Sequence, residues 1–168
     1  SDLMRSAMRD GNFMLSRQDD AFQTIPSAWV KEAMARWHTR KIEGVPMCAL
    51  GVDIACGGAD ETVLAIRYDG WYDRLISVPG DRTKEGSDVA ALVVKHRRDG
   101  AAVILDMGGG YGGAPNEHLR ANGINPILYK GNEKSSGRST EDKINYTNKR
   151  SEAWWQFRKA LDPSQPGG

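Results

Sequence analysis

The chain has 168 residues, of which 39% are hydrophobic and 27% are charged, and this length fits one soluble globular domain. Its 23 basic side chains nearly balance 22 acidic ones, which excludes a protein that holds its partners mainly through bulk positive charge. No apolar run approaches the roughly 18 residues that a membrane span needs, so we expect no membrane partner. The first residues do not resemble a signal peptide, and because the chain begins at Ser1 without an initiator Met, we expect a piece of a longer protein.

The two cysteines indicate a reducing compartment. Cys48 and Cys56 fall on one predicted strand, where their separation of about 26 Å excludes a disulfide. We expect reduced core thiols, as in cytoplasmic proteins. The three histidines show no metal-ligand spacing, which argues against zinc.

Hydrophobic periodicity predicts the elements in chain order. Residues 1–46 form a polar connector and a helix that starts at Ser27. Residues 131–146 are predicted to form a loop or an exposed hairpin. The remaining predicted strands are Met47–Ala55, Thr62–Tyr68, Asp73–Val78, Ala101–Asp106 and Pro126–Tyr129, and the remaining predicted helices are Gly86–Arg98, Asn116–Ala121 and one that starts near Thr147 or Asn148.

The order β-β-β-α-β-α-β-α over residues 47–168 resembles that of the ribonuclease H-like fold. The expected α/β fold is a central mixed five-stranded sheet, with three antiparallel strands followed by two parallel ones, flanked by helices. In that fold the first strand lies centrally beside the fourth.

Two aspartates stand out by their position at strand ends. Strand alternation places Asp53 on the face opposite Val52, and Asp106 ends a short apolar strand. If these strands are neighbours, both carboxylates meet at the carboxyl edge of the sheet. Carboxylate oxygens suit Mg²⁺ or Mn²⁺, and two such ions support phosphodiester hydrolysis. Each aspartate could instead cap the glycine-rich turn that follows it.

Three motifs together are similar to the nuclease domain of the large terminase subunits of tailed bacteriophages. They are GVDIACGGADET at Gly51–Thr62, ILDMGGGYG at Ile104–Gly112 and NKRSEAWW at Asn148–Trp155. The resemblance implies a viral endonuclease that cuts concatemeric double-stranded DNA in the cytoplasm of a bacterial host. It also implies an ATPase domain in the same full-length chain, and a small terminase subunit and a portal as partners.

The resemblance also implies roles for individual residues. Asp53 and Asp106 match the acids that bind two Mg²⁺ or Mn²⁺ ions, and Asp60 matches an acid that assists catalysis, although Asp60 could simply shape its turn. The sequence departs from the family in two ways. It has no Walker A motif, and the family's third acid is expected past Gly168, so the predicted nuclease core is truncated at its C-terminus.

The segment 130–159 carries eight basic and four acidic side chains, a local net charge of +4. Its serines, glycines and asparagines suit a loop that lies along DNA phosphates without reading bases, although a merely solvated loop has the same composition. Trp154 and Phe157, on the final helix, are expected to point into the core. The predicted DNA-binding residues are Lys130, Lys134, Arg138, Lys143, Lys149 and Arg150.

Two other classes of protein remain open. Actin-like and sugar-kinase domains share this core and use phosphate loops resembling Asp53–Thr62 and Gly108–Gly110, so a nucleotide-binding domain is the main alternative. Such proteins need two domains to enclose the nucleotide, however. A non-catalytic docking domain of the same fold is the second alternative.

Overall fold

The computed structural model describes residues 23–39, 42–57, 59–139 and 144–165. The chain divides into two compact units, one comprising Lys41–Ser151 and the other Ser1–Arg40 with Glu152–Gly168. The division predicted from the sequence, with a connector and helix before residue 47 and a core after it, stays a prediction.

The larger unit contains a mixed sheet of six strands with the order β3-β2-β1-β5-β6, in which β4 also pairs with β2. Strand β2 runs antiparallel to β1, whereas β1, β5 and β6 are parallel to one another. This topology confirms the predicted fold, with the first strand beside the first α-linked strand. The strands are β1 Ala49–Asp53, β2 Glu61–Tyr68, β3 Trp71–Tyr72, β4 Ile76–Pro79, β5 Ala102–Asp106 and β6 Ile127–Tyr129.

The third predicted strand, Asp73–Val78, corresponds to β4, which begins only at Ile76. A further short strand, β3, precedes it, and both pair with β2. At the interruption the register on β2 shifts by one residue, since Tyr72 lies opposite Arg67 whereas Ile76 lies opposite Leu64. The backbone N–H of Arg74, within this irregular stretch, donates to the Asp73 carboxylate (2.7 Å). The sheet therefore has six strands where five were expected.

The core lies on one face of this sheet, under helices α2 (Gly86–His96) and α3 (Gly113–Ala121). Alternate residues of β1, β2 and β5 point into it, which confirms the predicted alternation of β1. Both cysteines lie outside β1 and are exposed, so their prediction as core thiols is wrong. The most deeply buried apolar side chains are Leu50, Leu64, Val89, Val93, Val103, Leu105 and Leu119.

Helix α4 (Lys149–Leu161) starts where the sequence predicted, because the Asn148 side chain accepts a hydrogen bond from the Ser151 N–H (2.9 Å) and caps it. Before it, two short antiparallel strands confirm the hairpin, with β7 at Arg138–Ser139 and β8 at Ile144–Asn145, although Ser135, Ser139 and Tyr146 in this region are buried. No helix in the described ranges is long and apolar enough to cross a membrane.

The smaller unit contains helix α1 (Ser27–Thr39) and most of α4. The Arg158 guanidinium lies over the rings of Trp29 (4.6 Å) and Trp155 (5.0 Å) and donates to the Thr24 carbonyl (2.9 Å). Trp154 and Phe157 are 55% and 41% exposed, so the prediction that they point into the core is wrong. These two rings instead contact each other edge to face.

Replacing a buried and an exposed leucine tests the description of the core. We expect Leu64→Ala to lower the free energy of unfolding by about 2–5 kcal/mol, because Leu64 is fully buried on the central strand β2. Leu75→Ala is the control, since Leu75 is 63% exposed and its replacement should change stability by about 0.5 kcal/mol or less. Urea unfolding measures both. Equal effects of the two substitutions would contradict this description of the core.

Candidate active site

The register between β1 and β5 brings the two predicted metal ligands together. Leu50, Gly51 and Val52 lie opposite Val103, Ile104 and Leu105 in a parallel pair, and the next residues on the two strands are Asp53 and Asp106. Neighbouring strands lie about 4.8 Å apart, and residues in register point to the same face. Asp53 and Asp106 therefore end adjacent strands at one edge, on the face opposite the core.

The two carboxylates differ in their surroundings. Asp106 is half-buried, and its Oδ1 accepts a hydrogen bond from the backbone N–H of Gly108 (2.8 Å). It therefore caps the turn that follows, as the alternative interpretation predicts, but with one oxygen only. Asp53 is exposed, and no hydrogen bond from any described residue reaches its carboxylate. Oxygens of both side chains remain available to a cation.

The glycines after β5 keep the approach to Asp106 open. A Cβ at Gly108 would lie 3.2 Å from Asp106 Oδ1, which is tighter than ordinary contact with a carboxylate. Gly109 and Gly110 have φ angles of +68° and +84°, a conformation that residues with side chains rarely adopt. This turn therefore leads the chain away from the strand end without covering the carboxylate.

Asp60, the third predicted catalytic residue, lies in the exposed turn between β1 and β2. Its backbone carbonyl accepts a hydrogen bond from Gly80 (2.9 Å). Among the described residues, no three His, Cys, Asp or Glu side chains are grouped closely enough to hold a metal ion. The structure thus brings Asp53 and Asp106 together but does not bring Asp60 into a three-ligand group with them, and the catalytic role of each stays a prediction. The donor chemistry of the pair nevertheless fits Mg²⁺ or Mn²⁺, because both side chains offer hard oxygens at an open edge.

Three of the six predicted DNA-binding residues form one cluster near this edge. Lys130 directly follows β6, whose last residue, Tyr129, is the register partner of Asp106. The Lys149 and Lys130 ammonium groups lie 2.6 Å and 3.6 Å from the two carboxylate oxygens of Glu133. Arg150 completes the cluster, since its side chain packs across the buried Gly131. We call Lys130, Lys149 and Arg150 the basic cluster.

Backbone bonds fix the position of this cluster. The N–H groups of Lys149 and Arg150 donate to the carbonyls of Glu133 and Gly131, both at 2.9 Å, so the first turn of α4 is bound to the turn after β6. Lys149 and Arg150 are therefore held in place by backbone bonds as well as by their side chains.

The other three predicted DNA-binding residues are placed less closely. Lys134 is exposed next to Glu133, and Arg138 is exposed on β7, opposite Asn145. Lys143 lies outside the described residues. DNA binding by any of the six stays a prediction.

Glu133 was not predicted from the sequence. The spacing of three residues between Lys130 and Glu133 could have indicated an ion pair. The contact between Glu133 and Lys149 joins residues sixteen positions apart, and no sequence pattern indicates it. A hydrogen bond and the positive charge of Lys149, with Lys130 adding to them, hold the pKa of the Glu133 carboxyl below its usual range. The carboxylate thus stays ionised between two cations of the basic cluster.

Comparison with known proteins supports the fold. No protein-family model and no curated protein matches the sequence. Among solved structures, the nuclease domain of the large terminase subunit gp2 of bacterial virus Sf6 is similar over 86% of this chain and 70% of that one, with a TM-score of 0.57 and 17% identity. This chain has the fold of a terminase nuclease domain.

Two structures of a lysine-to-alanine mutant of the same Sf6 domain have similar TM-scores and sequence identities to this chain. One, with manganese and beta-thujaplicinol, has a TM-score of 0.53 at 16% identity, and the other, with calcium, has a TM-score of 0.56 at 17% identity. Both cover 86% of this chain and 70% of the other. The likeness to terminase nuclease domains that the three motifs suggested is therefore confirmed in the fold.

The ion pairs of Glu133 predict a pH dependence. The pKa of the Glu133 carboxyl is lower in the folded chain than in the unfolded chain. The ion pairs therefore stabilise the fold fully at a pH above the unfolded-state pKa of Glu133. This stabilisation is lost as the pH falls through the folded-state pKa of Glu133. Lys149→Met should raise the Glu133 pKa toward its ordinary value, as followed by NMR titration of the carboxyl carbon. Lys134→Met is the control and should leave it unchanged. A Glu133 pKa that does not respond to Lys149→Met would contradict the ion pair.

Proposed function

We propose that this chain is a divalent-metal-dependent DNA endonuclease, the nuclease domain of a viral large terminase that cuts concatemeric double-stranded DNA during genome packaging. The observation that carries this proposal is the adjacency of Asp53 and Asp106 at the carboxyl edge of β1 and β5. Two acids in this register, within a fold shared with terminase nuclease domains, are the arrangement that the sequence motifs led us to expect.

Asp53 and Asp106 would hold the metal, as two Mg²⁺ or Mn²⁺ ions. When bound, such ions activate a water molecule and neutralise charge on the phosphate. One oxygen of Asp106 is held by Gly108, which restricts the direction of the other, while Asp53 is exposed to solvent. Asp60 and a further acid, which the resemblance places past Gly168, complete the site in this proposal. Manganese and calcium accompany the similar Sf6 domain, in agreement with a divalent cation.

The basic cluster would bind the DNA backbone beside the metal site. Lys130 follows the strand that pairs with β5, so its charge lies on the same sheet edge as Asp106. Lysine and arginine contacts to phosphates carry little sequence information, which suits a nuclease that must accept any packaged sequence. Lys134, Arg138 and Lys143 would extend this contact along the hairpin.

The wider setting follows from the same proposal. The full-length chain would carry an ATPase domain, and its partners would be double-stranded DNA, the small terminase subunit and the portal. The site of action would be the cytoplasm of the bacterial host. These partners rest on the terminase likeness and on no contact of the described residues.

One observation disfavours the nucleotide-binding alternative. In a phosphate loop of that kind, the Thr62 hydroxyl would have to meet a phosphate. Here it is fully buried, accepts a hydrogen bond from the Ala55 N–H (3.2 Å) and lies 2.7 Å from the Thr83 hydroxyl. A phosphate would have to break this buried contact.

Plasmid cleavage tests the proposed activity. We expect cutting that requires Mn²⁺ or Mg²⁺, and Asp53→Asn or Asp106→Asn should lower the rate roughly 100-fold or more, because each change removes several kcal/mol of transition-state stabilisation. Glu117→Gln, an exposed carboxylate-to-amide change on α3, is the matched control. A version extended at the C-terminus tests the contribution of the further acid.

The outcomes separate the candidate functions. Unchanged cutting by a pure, folded Asp53→Asn variant would contradict the assignment of the metal site. If neither version cuts and the chain binds ATP, the nucleotide-binding alternative replaces the nuclease. A chain that binds DNA but neither cuts it nor binds metal or ATP would be a docking domain.

Salt-dependent DNA binding tests the basic residues. Replacing Lys134, Arg138 and Lys143 together by alanine should weaken binding and reduce the slope of log K against log [salt] by about 0.9 for each phosphate that is no longer neutralised. The control replaces three exposed basic residues elsewhere, Lys31, Lys95 and Arg120. Fluorescence anisotropy with a duplex of fixed length measures both. An unaltered slope would exclude the hairpin from the DNA path.

A further inference from the structure

Strand β1 ends at the candidate metal ligand Asp53, and two buried hydroxyls lie beside the backbone that follows it. Asp53 is the register partner of Val63 on β2. Two residues after Asp53, the Ala55 N–H donates to the side chain of Thr62, the neighbour of Val63 (3.2 Å). This bond ties the backbone that follows Asp53 to β2, beyond the last paired residue.

Thr62 is itself held from the other side. Its hydroxyl lies 2.7 Å from the hydroxyl of Thr83, and both residues are buried, at 0% and 2% exposure. The Thr83 N–H in turn donates to the Gly80 carbonyl (3.1 Å), across the short helical turn that follows β4. Because each buried hydroxyl is costly to leave unpaired, this chain of bonds is strongly maintained.

The same turn contacts the loop at further points. The Gly80 N–H donates to the Asp60 carbonyl, and a Cβ at Gly80 would lie 2.6 Å from that oxygen and 2.8 Å from the Gly57 carbonyl. Only glycine therefore allows this approach. The Cys56 thiol lies 3.7 Å from the carbonyl of Lys84. We call residues 80–84 the brace, because they contact both ends and the middle of the loop between β1 and β2.

The loop needs such support because its conformation is intrinsically unfavourable. Cys56 has a φ of +47°, which a residue with a side chain rarely adopts, and Gly57 has a φ of +86°. Backbone strain of this kind persists only where the surrounding structure fixes it. The brace supplies that constraint immediately after the candidate metal ligand.

We propose that Thr62 and Thr83 are positioning residues for the metal site, fixing the backbone after Asp53 so that its carboxylate is directed toward the edge shared with Asp106 before metal binds. This inference rests on the proposed function, because it presumes a metal at Asp53 and Asp106. Partners that orient a metal ligand typically change affinity 10–100-fold, as an order of magnitude, when they are removed.

Binding of Mn²⁺ by the whole chain, followed by electron paramagnetic resonance without DNA, tests this role. Thr83→Val keeps the shape and removes the hydroxyl, and we expect it to weaken Mn²⁺ binding about 10-fold or more. Thr83→Ser keeps the hydroxyl and should restore most of the affinity. Thr147→Val, at an exposed threonine, is the matched control. Urea unfolding identifies the conditions in which each variant is folded.

A second measurement on the unmodified chain applies even if Thr83→Val does not fold. The proposal expects slow hydrogen exchange at the Ala55 amide without any metal, because the bond to Thr62 is formed in advance. Exchange as fast as that of an unbonded loop amide, with protection appearing only when Mn²⁺ is added, would overturn it. Protection in the metal-free chain supports it.

The outcomes also separate this inference from the nuclease proposal. Unchanged Mn²⁺ affinity in folded Thr83→Val overturns the positioning role, whether or not the wild-type chain cuts DNA. Weakened binding with rescue by Thr83→Ser supports it, even if plasmid cleavage fails and the metal serves another reaction. A wild-type chain that binds no Mn²⁺ overturns it as well.

Discussion

The candidate site depends on the register between two parallel strands. Leu50 opposite Val103 and Val52 opposite Leu105 bury their side chains in one core, and the alternation of a strand then directs the next residues, Asp53 and Asp106, to the opposite face. A slip by one residue would place one carboxylate in the core, at a cost of several kcal/mol. The hydrophobic effect on one face thus fixes the carboxylate pair on the other.

The fold could be predicted from the sequence because its signals are local and repeated. Alternating apolar residues mark β1 and β2, and helical periodicity marks α2, so the order of elements restricts the topology. The break between β3 and β4 could not be predicted in this way, since it is a shift of register by one residue on β2, which hydrophobic alternation does not reveal. The exposure of Trp154 and Phe157 could not be predicted from the sequence either. Helical spacing shows that two side chains share one face of a helix, but it does not show whether another element covers that face.

The candidate site could be predicted only in part from the sequence, because some of its residues leave no local sequence pattern. Asp53 and Asp106 interrupt or end apolar strands, and an acid in that position is conspicuous. Thr62 had a weaker signal, since it shares the buried alternation of Leu64, whereas Thr83 lies in a short turn with no pattern of its own. Contacts between residues far apart in sequence, such as Thr62 with Thr83 and Glu133 with Lys149, emerge only when the chain is folded.

Charge is distributed along the sheet edge so that the proposed metal site and the proposed DNA contact support each other. The acids end β1 and β5, and the basic cluster begins beside β6, one strand further along. Glu133 pairs with two lysines of that cluster and reduces their net charge, so a DNA phosphate bound there would have to compete with an internal carboxylate for them. An exposed ion pair of this kind is weak and readily exchanged. In the proposed function, the cluster would therefore bind DNA through several phosphates together, while a single isolated phosphate would gain little over Glu133.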